Sequence, residues 1–248
     1  EGFFFPANRV SGDFYDVFEL PGGYLGIVIG DVCDKGVGAA LFMGLFRSLL
    51  RIFSGAAQLD RNLVNQSTHT VGGHIEAAAH RQYSQIEAIR AVALTNDYIA
   101  REHGDMCMFA TLFFGVLEPE SGTLIYINGG HEPLFVVNEN GVEETLNPTG
   151  PAVGLFARTE FIYKELTLEP GDILFGYTDG VLDARSHQGA RFTKKRLREL
   201  LLKPAESVLD IMGNVGTDLF AHIGKAPQED DVTMLALRRK WYDNDANQ

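Results

Sequence analysis

The order of strand-like and helix-like segments constrains this chain most, because strands come in runs instead of alternating with helices. Phe14–Leu20 reads as a strand and Pro21-Gly22-Gly23 as a tight turn. Tyr24–Val32 reads as a second strand, apolar on both faces, which predicts an inner position in its sheet. A connection this short predicts antiparallel pairing of the two. Gly36–Phe53 places Val37, Ala40, Leu41, Gly44, Leu45 and Leu49 at helical spacing. Gln85–Arg101 reads as an amphipathic helix with Ile86, Ile89 and Ala93 on one face. Strands are expected at Phe109–Leu117 and Thr123–Asn128, joined by the hairpin-like Glu118-Pro119-Glu120-Ser121-Gly122. Further strands fit Leu134–Val137, Phe161–Leu168 and Asp172–Thr178. Two helices fit Lys194–Leu202 and Ala205–Phe220, and a last strand fits Val232–Arg239. Ser54–His80, rich in small residues, Gln, Asn and His, reads as a loop or irregular insertion. Runs of strands followed by runs of helices favour an α+β fold with antiparallel sheets over a doubly wound parallel sheet.

No internal repeat, low-complexity tract or linker divides the 248 residues, so a single domain over 1–248 is expected. The chain opens at Glu1 and enters a strand-like pattern within a few residues. It reads as the C-terminal output part of a longer signalling protein. The longest apolar stretches, such as Tyr24–Ile29, look too short to cross a bilayer, and no signal peptide is visible. Two cysteines, Cys33 and Cys107, fit a reducing cytoplasm better than a disulfide scaffold. With 33 acidic against 21 basic residues the formal charge is −12, which argues against a nucleic-acid partner. The same charge repels phosphate esters unless something inverts it locally.

Carboxylates gather at strand ends. Ser11-Gly12-Asp13-Phe14-Tyr15-Asp16 opens the first strand, and Gly30-Asp31-Val32-Cys33-Asp34-Lys35-Gly36-Val37-Gly38 closes the second. Tyr177-Thr178-Asp179-Gly180 closes a later strand, and Glu229-Asp230-Asp231-Val232-Thr233 opens the last. In antiparallel sheets the starts of some strands lie beside the ends of others, so all four groups could meet at one edge. Carboxylates held that close repel each other unless a cation neutralises them. Oxygen ligands with little His or Cys suit Mg²⁺ or Mn²⁺ better than Zn²⁺. Each group alone is more simply a turn or a helix cap; four together favour metal.

Other motif readings fail at the second group. A dinucleotide fingerprint at Gly36-Val37-Gly38 lacks its third glycine, and Asp31 and Asp34 would repel a pyrophosphate. An EF-hand starting at Asp31 would need Glu where Phe42 stands. No Gly-Lys-Ser/Thr phosphate loop is present.

The four groups in this order, with Asn-Gly-Gly-His-Glu-Pro at 128–133, resemble the metal-dependent PP2C-like (PPM) serine/threonine phosphatases of the bacterial SpoIIE/RsbU-type branch. The resemblance covers nearly the whole chain. It implies two packed antiparallel β-sheets flanked by helices on both sides, an αββα sandwich. It also implies two divalent cations, Mn²⁺ or Mg²⁺. Asp31 would bridge both, the carbonyl of Val32 would bind one, Asp179 and Asp230 would complete one shell, and Asp13 would hold the other cation. Asp16, Asp34 and Asp231 would support these ligands, and Arg9 could reach a substrate phosphate.

The implied activity is hydrolysis of phosphoserine or phosphothreonine on a phosphorylated STAS-type anti-sigma factor antagonist. An upstream receiver, PAS or GAF domain and a homodimer are compatible with this reading; a membrane partner is not expected. The alternative is a non-catalytic adaptor that binds a sigma-factor regulator. His131 reads as structural ahead of a general acid, Cys33 as packing, and His69, His74 and His80 as surface residues. The long stretch between the first two helices departs from the family pattern and bears on regulation.

Overall fold

The computed structural model describes residues 1–7, 10–65, 85–203 and 207–240; of residues 56–65 it describes the backbone only. Ten strands run β1 (Gly2–Phe5), β2 (Asp13–Leu20), β3 (Tyr24–Val32), β4 (Ala110–Leu117), β5 (Thr123–Gly129), β6 (Leu134–Asn138), β7 (Gly141–Leu146), β8 (Lys164–Thr167), β9 (Ile173–Tyr177) and β10 (Val232–Arg238). The helices are α1 (Val37–Asn65), α2 (Ala91–Glu102), α3 (Gly180–Asp183), α4 (Lys194–Leu201) and α5 (Val208–Ile223). A helical turn at 85–89 leads into α2.

One sheet has the order β2-β3-β4-β5-β8 and the other β1-β10-β9-β6-β7, with antiparallel neighbours throughout. Strand alternation explains the layering, since successive side chains point to opposite faces. On β3, Ile27 and Ile29 meet Phe113, Leu124, Leu134, Leu174 and Leu235 between the sheets. Val28 and Val32 point the other way, onto Phe46, Leu50 and Val92 of α1 and α2. On the far side, Phe175, Tyr177 and Met234 pack against Leu197, Leu200, Val215 and Leu219 of α4 and α5. The result is the αββα sandwich, and β3 is an inner strand as its two apolar faces require.

Several elements differ from expectation. The first helix runs on to Asn65, so the start of the expected loop at Ser54–His80 is helical. The rest of that stretch lies outside the described residues. Gly2–Phe5 forms an edge strand by pairing with β10, a contact across the whole chain that local patterning cannot show. Gly141–Leu146 is a strand although Glu143 and Glu144 break its alternation; it pairs with β6 across a register shift at Val136/Val137. The strand expected over Phe161–Leu168 shortens to Lys164–Thr167. Val37–Gly55 is long and apolar enough by length and composition to cross a membrane, contrary to the estimate from apolar runs. In the fold this helix lays one face on β2 and β3 and uses Arg47 and Arg51 to hold a buried aspartate of β2.

Candidate functional site

Strand β2 begins where β3 ends, so Asp13 stands directly opposite Asp31. Asp31 continues the Ile27–Ile29 face toward the second sheet, and its other cross-strand neighbour is Thr111. On the second sheet, β9 ends beside the start of β10. Thr178 N–H donates to the Thr233 carbonyl at 3.0 Å, and Thr233 N–H donates to Thr178 Oγ1 at 3.1 Å. Both threonine hydroxyls then donate to Asp13 Oδ2, each at 2.6 Å. One carboxylate of the first sheet is thus clamped by two buried hydroxyls of the second. The clamp brings Asp179, next to Thr178, and Asp230, just before β10, to the mouth of the same sandwich end.

Two glycines allow the close approach. A Cβ on Gly12 would lie 2.7 Å from the carbonyl oxygen of Val32. A Cβ on Gly180 would overlap the carbonyl oxygen of Asp231. The site therefore depends on backbone meeting backbone at both of its walls.

The electrostatics follow from the crowding. Asp13 and Asp31 act on each other directly, and both carboxyls are pushed well above the ordinary carboxylate range. Burial is the larger cause for each. For Asp31 the charges of Asp13, Asp179 and Asp230 add to it. For Asp13 the two threonine bonds oppose the rise. Asp179 is also pushed up, first by loss of water around its carboxyl and then by Asp230, Asp183 and Glu132. Carboxylates crowded together in this way call for positive charge. Among the described residues, no three His, Cys, Asp or Glu side chains converge tightly enough to enclose an ion as they stand. The chemistry of the donors nonetheless fits a hard cation, being all oxygen and partly buried.

The remaining expected residues separate. Asp231 is buried, accepts the Ala7 N–H at 2.7 Å, and adds its charge to that acting on Asp13. Asp16 is not at the site. It lies on the opposite face of β2 from Asp13, because strand alternation reverses over an odd step. There it accepts from Arg47 Nε at 2.8 Å and from Arg51 at 2.6 and 2.7 Å. Burial alone would raise its carboxyl, and these two guanidinium groups outweigh that and hold it low. Asp34 is exposed, and its Oδ1 accepts the Lys35 N–H at 2.8 Å within its own turn. Arg9, His69, His74 and His80 lie outside the described residues.

His131 is buried, and burial pushes its imidazole down to about 4. It is thus neutral near pH 7, with Nδ1 3.1 Å from Thr111 Oγ1 and its N–H donating to Asn128 Oδ1 at 2.8 Å. This supports the structural reading. Cys33 ties the strand ends together: its Sγ accepts the Phe109 N–H at 3.2 Å and lies 3.7 Å from the Cys107 carbonyl.

Thr178, Thr233, Lys35, Gly12 and Gly180 are the site residues that sequence reasoning passed over. All five sit inside the quoted motifs. Each threonine continues the inward-facing positions of a strand that is otherwise apolar there, which was the available signal.

Two packed antiparallel sheets flanked by helices on both sides are the fold of PP2C-type domains. The fold superposes on the SiaA-PP2C domain of Pseudomonas aeruginosa with a TM-score of 0.69 at 21% identity, covering 96% of this chain and 85% of that one. The family model for Stage II sporulation protein E (SpoIIE) matches residues 21–240, and the chain belongs to this family. It is 49% identical over 236 residues to Protein IcfG of Synechocystis sp., covering 95% of this chain and 37% of IcfG. It is 24% identical over 241 residues to the phosphoserine phosphatase RsbU of Bacillus subtilis, covering 95% of this chain and 61% of RsbU. The chain thus spans between 37% and 61% of the length of these two relatives.

Proposed function

We propose that the chain is a metal-dependent phosphoprotein phosphatase that hydrolyses phosphoserine or phosphothreonine. The observation that carries this is the meeting of Asp13, Asp31, Asp179 and Asp230 at one end of the two sheets, in a chain similar to a phosphoserine phosphatase. Asp31, with Asp13 opposite and Asp179 and Asp230 in its field, would help to hold two divalent cations, Mn²⁺ or Mg²⁺. Asp13 would contribute its Oδ1, since Oδ2 is taken by Thr178 and Thr233. Asp179, Asp230 and the carbonyl of Val32 would complete the ligand set. Cations held by these residues would make hydroxide available near neutral pH and offset charge on the phosphoryl oxygens. The chain's own contribution is rigid placement, by the threonine clamp and the Gly12 and Gly180 approaches.

The substrate we favour is a phosphorylated STAS-type anti-sigma factor antagonist, in the cytoplasm. The resemblance to partner-switching enzymes and the similarity to RsbU support it. The test is Mn²⁺-dependent release of phosphate from a chromogenic ester and from a phosphorylated STAS protein. Full activity after Asp31→Ala or Asp179→Ala would sink the proposal.

A further inference from the structure

One ammonium group of the chain is in direct contact with the carboxylate cluster. Lys35 Nζ lies 3.0 Å from Asp230 Oδ1 and donates to the Glu229 carbonyl at 2.7 Å. Its backbone explains the reach. Asp34 and Gly36, on either side, have φ of 72° and 86°, both left-handed. This tight corner between β3 and α1 aims Lys35 across the mouth of the site, from the first sheet to the start of β10. The side chain is half exposed, so it is free to swing. Asp230, Asp231 and Asp179 all act on its charge.

The charge balance gives this contact a consequence. Four carboxylates attract an ammonium strongly. Two divalent cations cancel their four negative charges and repel the ammonium themselves. A phosphate monoester then brings about two negative charges to the same mouth. Lysine suits such a change of partner, being a compact charge with three donors on a flexible stem.

We propose that Lys35 is a tethered cation that competes with the metal for Asp230 and, once freed by metal binding, pairs by charge with the phosphoryl oxygens of the bound substrate. This rests on the phosphatase reading above. It makes one residue act in opposite directions on the two ligands, which a merely structural lysine would not do.

The test compares wild type, Lys35→Met and Arg185→Met. Arg185 is a neighbouring cation that pairs with Glu229 Oε2 at 3.3 Å and does not touch Asp230. Mn²⁺ binding is measured by titration calorimetry on chelator-stripped protein. Phosphate binding is measured as inhibition of p-nitrophenyl phosphate hydrolysis by inorganic phosphate. Lys35→Met is expected to bind Mn²⁺ about fivefold more tightly. It is also expected to need about tenfold more phosphate for the same inhibition. Arg185→Met should change Mn²⁺ binding far less. The inference is overturned if Lys35→Met binds Mn²⁺ no more tightly than wild type, if Arg185→Met gains as much, or if phosphate inhibition is unchanged. Wild type that neither binds Mn²⁺ nor hydrolyses the ester overturns the phosphatase reading with it. Wild type that does both, beside an indistinguishable Lys35→Met, overturns the role of Lys35 alone.

Discussion

Asp13 and Asp31 face each other across the β2–β3 ladder, at the end of the hairpin where the two sheets meet. Both carboxyls titrate above their unfolded-state values, mainly through burial. The sign follows from linkage. A carboxyl whose folded pKa is raised favours the folded state at low pH, and that advantage is lost as pH rises through the raised value. A divalent cation needs both groups ionised, so its stabilising effect should grow over the same range.

Melting temperature in chelator should therefore fall as pH rises from about 4, where the unfolded carboxyls ionise, to about 9, from this pair's contribution. With saturating Mg²⁺ the fall should be offset, by about 3 kcal/mol at a hundredfold excess over the dissociation constant. Differential scanning calorimetry with and without Mg²⁺ across that range measures it. A metal-induced shift that is the same at every pH would contradict the assignment of Asp13 and Asp31 as ligands.

The two threonines make a second prediction. Thr178→Val and Thr233→Val keep the branched shape and remove a hydroxyl from Asp13 Oδ2. Each should cost about 1 kcal/mol of stability and weaken Mn²⁺ binding about tenfold, as the loss of a group that orients a ligand does. The double variant should lose less than the sum, because both bonds end on one oxygen. Calorimetric Mn²⁺ titration decides; unchanged affinity in the double variant would show that Asp13 needs no orienting.

Asp16 gives a contrasting case. It sits three residues from Asp13 in the same motif, yet its carboxylate is buried on the helix side and held by Arg47 and Arg51. Asp16→Asn leaves two guanidinium groups without their counter-ion and should destabilise by about 2 kcal/mol. Mn²⁺ affinity, corrected for any unfolded fraction, should stay at the wild-type value. A loss of metal affinity with stability intact would return Asp16 to the site.

These residues also show what the sequence could and could not reveal. The β2–β3 hairpin was legible because its turn is three residues long and the segments on both sides read as strands, the second apolar on both faces. The meeting of Asp13 with Asp31 follows from that hairpin's register alone. The approach of Asp179 and Asp230 needed the second sheet, whose β1–β10 pairing joins opposite ends of the chain. The threonine clamp was hidden for the same reason: hydroxyls of one sheet act on a carboxylate of the other, and no local spacing encodes that. Asp16 was misplaced because a motif groups residues by sequence, whereas a strand sorts them by parity. Asp34 is itself left-handed, and its carboxylate accepts the next backbone N–H, a local bond that a motif does not reveal.

The last prediction concerns a glycine that the site needs for space. Gly180 opens α3, so its backbone is helical and asks for no special φ. What excludes a side chain is the carbonyl oxygen of Asp231, which a Cβ would overlap. Backbone cannot rotate aside as a flexible side chain can, so Gly180→Ala must push the β9–α3 corner away from the start of β10. That corner carries Thr178 and Asp179, and β10 follows Asp230. The variant should lose about 2 kcal/mol through overpacking and at least tenfold in Mn²⁺ affinity through displaced ligands. Gly38→Ala is the control, since a Cβ there meets nothing within 4 Å. In the first turn of α1 it should be neutral or stabilise by up to about 1 kcal/mol, with Mn²⁺ affinity unchanged. Chemical denaturation and Mn²⁺ titration of both variants test the pair. Equal effects of the two substitutions would mean that the approach of Gly180 to Asp231 does not hold the site together.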